Sequence, residues 1–110
     1  MYIIPINNNV FRAGKVDLIR FSPDKISNYE EIKTLAKNSQ LDFLIYKNQE
    51  SKYLKFHDSF IVTALKNLKE PPYFKQGSGC AIVKKSAPKE ELSARIYDSI
   101  LDAIKRLDEK

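Results

Sequence analysis

A chain of 110 residues, 43% apolar and 30% charged, has the size and composition of one folded domain around one core. Nineteen Lys and Arg against fourteen Asp and Glu leave a formal charge of +5, and no apolar run reaches the ~18 residues of a membrane span. A single cysteine excludes an intrachain disulfide and a four-cysteine zinc site, and a single histidine excludes a histidine-rich metal centre. The N-terminus lacks a basic leader pattern, so the expectation is a cytoplasmic protein that uses no cofactor and engages no membrane.

Ile3, Ile4 and Ile6 begin a β-rich run, and Pro5 within it marks an edge strand or a bend. Asn7 to Asn9 and Ala13-Gly14 supply turn chemistry. That run and a strand over Val16 to Phe21 are therefore expected to form a hairpin. Ser22-Pro23-Asp24 stops the strand. Ser27, with Glu30 three positions later, has the spacing of a capping box, in which each side chain satisfies a backbone N–H near the other. Ile32, Leu35 and Ala36 give that helix its apolar stripe, and Asn38 to Gln40 end it. Leu41 to Lys47 holds Phe43, Leu44 and Ile45 in succession, the pattern of a central strand with both faces partly buried. After a turn at Asn48 to Ser51, Lys52 to Phe56 is expected as its hairpin partner.

From Asp58 the period changes. Phe60, Ile61, Ala64, Leu65 and Leu68 recur at helical spacing, with Asp58 or Ser59 as cap. The β-branched run at Phe60 to Thr63 also suits a strand. Pro71-Pro72 ends this segment. Tyr73 to Gly79 is expected as a loop whose glycines adopt positive φ, and Cys80 to Lys84 as a short strand. Ser86 to Glu91 combines a cap candidate, an early proline and two acids, so it opens a helix. Leu92, Ile96, Ile100, Ala103, Ile104 and Leu107 carry the stripe of that helix towards the C-terminus. The whole implies a single α+β domain over residues 1–110. It has a mixed, mostly antiparallel sheet of about five strands with about three helices, the last of them long and C-terminal.

Several residue groups invite a chemical reading. Cys80 with His57 has the residue types of a nucleophile and its base, but the apolar Ala81-Ile82-Val83 that follows favours a small buried thiol. Asp42, Glu50 and Lys52 have the residue types of a metal-dependent nuclease in order, yet Glu50 falls in a turn. Gly77-Ser78-Gly79 precedes a strand, whereas phosphate-cradling glycines open helices. No catalytic residue, metal ligand or cofactor contact is assigned on these grounds.

The charge map is more informative. Between residues 66 and 89, Lys66, Lys69, Lys75, Lys84, Lys85 and Lys89 face only Glu70. Tyr73 and Phe74 sit among them. These eight residues are the candidate partner-binding set. Lysines beside aromatics suit an acidic protein surface, with the rings as anchors. They also suit phosphates and stacked bases. Four arginines in the chain are few for sequence-specific DNA readout. The expectation is a non-enzymatic binding or regulatory protein whose partner is another protein with an acidic surface. A small lysine- and asparagine-rich chain of this kind suits an inhibitor or accessory protein of a phage or mobile element. A sequence-tolerant nucleic-acid binder is the alternative, and a small hydrolase or nuclease the third.

Overall fold

The computed structural model describes residues 14–108. They form a four-stranded mixed sheet with helices packed on one face: β1 (Val16–Ile19), α1 (Tyr29–Ser39), β2 (Asp42–Lys47), β3 (His57–Asn67), β4 (Phe74–Lys84) and α2 (Lys89–Asp108). Short 3-10 turns occupy Pro23–Lys25 and Lys52–Leu54. The strands lie in sequence order, with β1 parallel to β2 and the other two pairings antiparallel. The α+β architecture, the largely antiparallel sheet and the long terminal helix agree with the sequence. The expected strand at Ile3 to Ile6 and its hairpin lie outside the described residues. No helix among those described is long and apolar enough to cross a membrane.

The core lies between the sheet and the helices. Phe43 and Ile45 of β2, with Phe60, Val62 and Ala64 of β3, are buried beneath Ile96, Ile100 and Ala103 of α2 and Ile32 and Ala36 of α1. The stripe of α2 thus faces the sheet, where its burial removes apolar surface from water at roughly 25 cal/mol per Å².

Three expectations about elements are overturned. Residues 58–69 are not a helix but most of β3. Their apolar spacing is that of a strand with apolar residues on both faces: Phe60, Val62 and Ala64 point to the helices, Ile61 and Leu65 away. The consecutive β-branched Ile61, Val62 and Thr63 resist helix, where their χ1 freedom is lost. Lys52 to Phe56 is not the hairpin partner of β2; it forms a 3-10 turn capped by Ser51, whose hydroxyl accepts from the Tyr53 N–H. That partner is β3, with Ile45 opposite Val62. Of the loop expected over Tyr73 to Gly79, only Tyr73 lies in a connection, because β4 runs unbroken from Phe74.

Gly77 and Gly79 do not supply positive φ. Among the described glycines that role belongs to Gly14, at φ 98°; Arg20, Gln40 and Tyr73 also hold positive φ. Gly77 and Gly79 are buried under α2, so close that a Cβ on Gly77 would meet Ala103 O and come within 2.6 Å of Leu107 N. On Gly79 it would lie 2.5 Å from Ser99 O. The pair lets the helix sit directly on the strand. At this contact the Ser99 hydroxyl donates to Cys80 O at 2.8 Å.

The capping box also fails. α1 begins at Tyr29, and Ser27 turns away to meet α2: its N–H donates to Ser93 Oγ at 2.8 Å and its hydroxyl lies 3.1 Å from the same atom. Asn28 Nδ2 donates to Ser93 O at 3.1 Å. Ser93 is itself buried, so Ser27 and Asn28 stitch α1 to α2 rather than closing a turn.

Candidate functional site

The hairpin of β3 and β4 divides the candidate binding residues between two ends of the molecule. Lys66 stands opposite Lys75 and Asn67 opposite Phe74, with Lys69 and Tyr73 in the connection between the strands. Tyr73 is 59% exposed and Phe74 49%. Lys84, Lys85 and Lys89 sit at the other end, where β4 gives way to α2. Nine residues of strand separate Lys75 from Lys84, roughly 30 Å. Charges summed along a sequence window cannot reveal this, because an extended strand carries neighbouring windows far apart.

Lys84 and Lys85 point to opposite sides. Lys84 is exposed on the helix-free face, opposite His57. Lys85 turns to the helix side, where its Nζ donates to Asp58 Oδ1 at 2.8 Å and also contacts Glu50. Lys47 lies 3.9 Å from the same Asp58 carboxylate. The hydrogen bonds to Asp58 and then Glu50 hold the Lys85 ammonium above the usual lysine pKa. This lysine is committed to an intramolecular network.

Beside the network lies a cleft of about 450 Å³ at the end of the sheet. Cations reach it from separate elements: Arg20 after β1, Lys25 in the first 3-10 turn, Lys47 closing β2, Lys85 after β4 and Lys89 opening α2. Asp24 and Asp58 are the carboxylates of its lining. Phe21 and Phe60 pack edge-to-face with centroids 5.3 Å apart and, with Leu92, provide apolar wall. Arg20 holds left-handed backbone at φ 73°, an uncommon state for a non-glycine residue, and its guanidinium lies 5.3 Å from the Tyr46 ring centroid.

The second surface is the helix-free face of the sheet. Ile19, Tyr46, Ile61 and Cys80 stand opposite one another in register across all four strands. Leu44 and Ile82 extend this apolar row. Ile19, Leu44 and Ile61 are each about 40% exposed and Ile82 is 54% exposed. Cys80 is exposed, not the buried thiol expected from the residues after it. The apolar residues following it alternate, and only Ala81 and Val83 face the core. The signal for this surface was present in the sequence as apolar residues on both faces of one strand, visible at Phe43 to Ile45. Arg20, Lys25 and Lys47 carried no such signal; folding alone assembles them.

The candidate reactive groups do not converge. His57 is opposite Lys84 and Cys80 opposite Ile61, so four residues of strand, roughly 13 Å, separate thiol and imidazole. Asp42 begins β2, where it accepts from the Lys15 N–H at 3.0 Å, whereas Glu50 lies beyond the other end of that strand with Lys85. Among the described residues no group of three or more His, Cys, Asp or Glu side chains is arranged to hold a metal ion. Comparison with known proteins yields no match to this chain, whether with family models, curated proteins or solved structures.

Proposed function

We propose that this chain is a non-enzymatic binding protein that acts by contact with another protein, through the helix-free face of its sheet. The observation that carries this reading is the in-register row Ile19, Tyr46, Ile61 and Cys80, extended by Leu44 and Ile82. Contiguous apolar side chains left in water favour association with a complementary apolar surface, and they offer little to a phosphate backbone. Charge supports a partner whose apolar patch is bordered by carboxylates. The carboxylates on this face are engaged within the chain: Asp17 lies 3.6 Å from Lys15 Nζ, and Asp42 accepts from the Lys15 N–H. Arg20 and Lys84, at its margins, make no ion pair among the described residues. The chain's excess of +5 adds long-range steering towards an acidic surface. An inhibitor or accessory protein of a mobile element would act in this way.

The nucleic-acid alternative rests on the other end of the hairpin, where exposed Tyr73 and Phe74 lie among Lys66, Lys69 and Lys75. One experiment separates the two. Affinity capture from source-cell extract, with and without nuclease, is carried out with the wild type and with an Ile61→Glu, Ile82→Glu variant shown by circular dichroism to be folded. The expected result is a defined protein retained by the wild type after nuclease treatment and lost from the variant. Capture abolished by nuclease transfers the function to the lysine and aromatic end. Undiminished capture by the variant removes the apolar face from consideration.

A further inference from the structure

We propose that the outer edge of β4 is a strand-addition site, at which an extended segment of the protein partner pairs antiparallel to β4 as a fifth strand. The assignment rests on the protein-binding reading and adds how that partner is held. The β3–β4 ladder shows which backbone groups are free. The Lys85 N–H donates to Phe56 O and the Leu68 N–H to Tyr73 O, one at each end of the hairpin, so the odd-numbered residues of β4 bond to β3. The N–H and C=O groups of Phe74, Gln76, Ser78, Cys80 and Ile82 therefore point away from β3. Among the described residues only one of them has a partner, Cys80 O, which accepts from the Ser99 hydroxyl. Sheet edges are ordinarily kept short, bulged or interrupted by proline. β4 is eleven residues long, contains no proline and pairs with β3 without a bulge. At the opposite edge β1 has four residues.

The position of α2 selects the occupant. The helix sits directly on β4, with Ala103 O and Ser99 O against Gly77 and Gly79. A second copy pairing β4 with β4 would bring its own α2 within about one strand spacing of the first, about 4.8 Å. Packed helices need about 8–10 Å. A lone extended segment carries no helix and meets no such conflict. In the antiparallel arrangement, each segment residue that bonds to β4 shares the face of the β4 residue opposite it. Phe74, Cys80 and Ile82 are exposed on the helix-free face, so apolar side chains there extend the apolar row by one strand. The intervening side chains rise beside α2. Ser99 marks the flank of α2 that reaches the edge, and Arg95 and Asp102 lie about one turn to either side of it. Asp102 lies 3.7 Å from Arg106, whereas Arg95 makes no ion pair among the described residues. Lys75 and Lys84 are exposed near the two ends of the strand. The edge thus suits a segment that alternates apolar residues with carboxylates.

The test uses the isotopically labelled full chain and a terminally blocked heptapeptide of alternating valine and glutamate. In the chain alone, amide hydrogen exchange should be fast at Gln76, Ser78, Cys80 and Ile82 and slow at Gly77, Gly79 and Ala81. Saturable peptide binding should slow the first set. Methylating the valine nitrogens, which would face β4, should weaken binding at least about tenfold, equivalent to about 1.4 kcal/mol; methylating the glutamate nitrogens should not. Ser78→Pro removes an edge donor and no bond to β3, and should abolish peptide binding in a protein shown by circular dichroism to be folded. Slow exchange at the four edge amides in the chain alone would mean that this chain already fills the edge, and would overturn the site. So would the absence of saturable binding, binding that leaves those amides unprotected, or binding that survives valine methylation. Capture from source-cell extract separates this assignment from the reading beneath it. If Ser78→Pro retains the protein that the Ile61→Glu, Ile82→Glu variant loses, the apolar face stands and strand addition falls.

Discussion

Replacing Gly77 with alanine tests the contact that positions α2. At an ordinary strand position this change is favourable, because glycine in a strand interior costs about 0.5–1 kcal/mol relative to alanine. Here the new methyl would collide with Ala103 O, lie 2.6 Å from Leu107 N and 3.1 Å from Arg106 C. These are backbone atoms of a helix, and no side-chain rotation can relieve them. Overpacking of this kind costs about 1–3 kcal/mol, and contacts with rigid backbone belong at the upper end. After subtracting the strand preference, the net loss is about 2 kcal/mol. For a domain of this size that is a fall in melting temperature of about 8 °C or more. Thermal and urea unfolding followed by circular dichroism would measure it. Gly79→Ala should also destabilise, since its methyl would lie 2.5 Å from Ser99 O and strain the Ser99 bond to Cys80 O. Ser78→Ala, on the helix-free face between them, should stay within about 0.5 kcal/mol. A Gly77→Ala protein with a raised melting temperature would mean that α2 does not rest on β4 as described.

Other substitutions probe the remaining layers. Ile96→Asp or Ile100→Asp places a carboxylate at a fully buried position of α2 and should abolish cooperative unfolding; an unchanged transition would mean that the stripe is exposed. Cys80→Ser should leave stability within about 0.5 kcal/mol, and the native thiol should react freely with a disulfide reagent, because Cys80 is exposed on the open face; a thiol that reacts only after unfolding would contradict its placement. Lys85→Glu should lower the melting temperature more than Lys84→Glu, since only Lys85 bridges Asp58 and Glu50. The folded-state pKa of Lys85 is raised above 10.5, so its contribution is present throughout neutral pH and disappears as pH rises through that higher value. The stability difference between wild type and Lys85→Gln should therefore persist at pH 7–10 and shrink at higher pH; a difference independent of alkaline pH would exclude the ion pairs as its source.

Residue patterning alone suffices for the class of the fold and for the elements whose pattern has one explanation. The stripe from Leu92 to Leu107 repeats over about four turns, too long to be a strand, and it became α2. Val16 to Ile19 and Asp42 to Lys47 are short, apolar and bounded by turn residues, and they became strands. Local pattern failed where it was ambiguous. The residues from Phe60 to Leu68 satisfy a helical spacing only because β3 has apolar side chains on both faces, and the second face exists because no helix covers it. Gly77 and Gly79 read as a loop because their purpose, admitting a helix that follows twelve residues after Gly77, is invisible locally. Ser27 had a capping partner in sequence but took Ser93 instead, a hydroxyl that only the packing of α1 against α2 brings near. The candidate sites follow the same division. A window sum found the lysines between 66 and 89, and the hairpin then sent them to opposite ends of the sheet. The cleft joins Arg20, Lys25 and Lys47 to Lys85 and Lys89 because strand ends and a helix start meet there. Sequence distance carries no information about such a meeting; chain reversal and sheet register decide it.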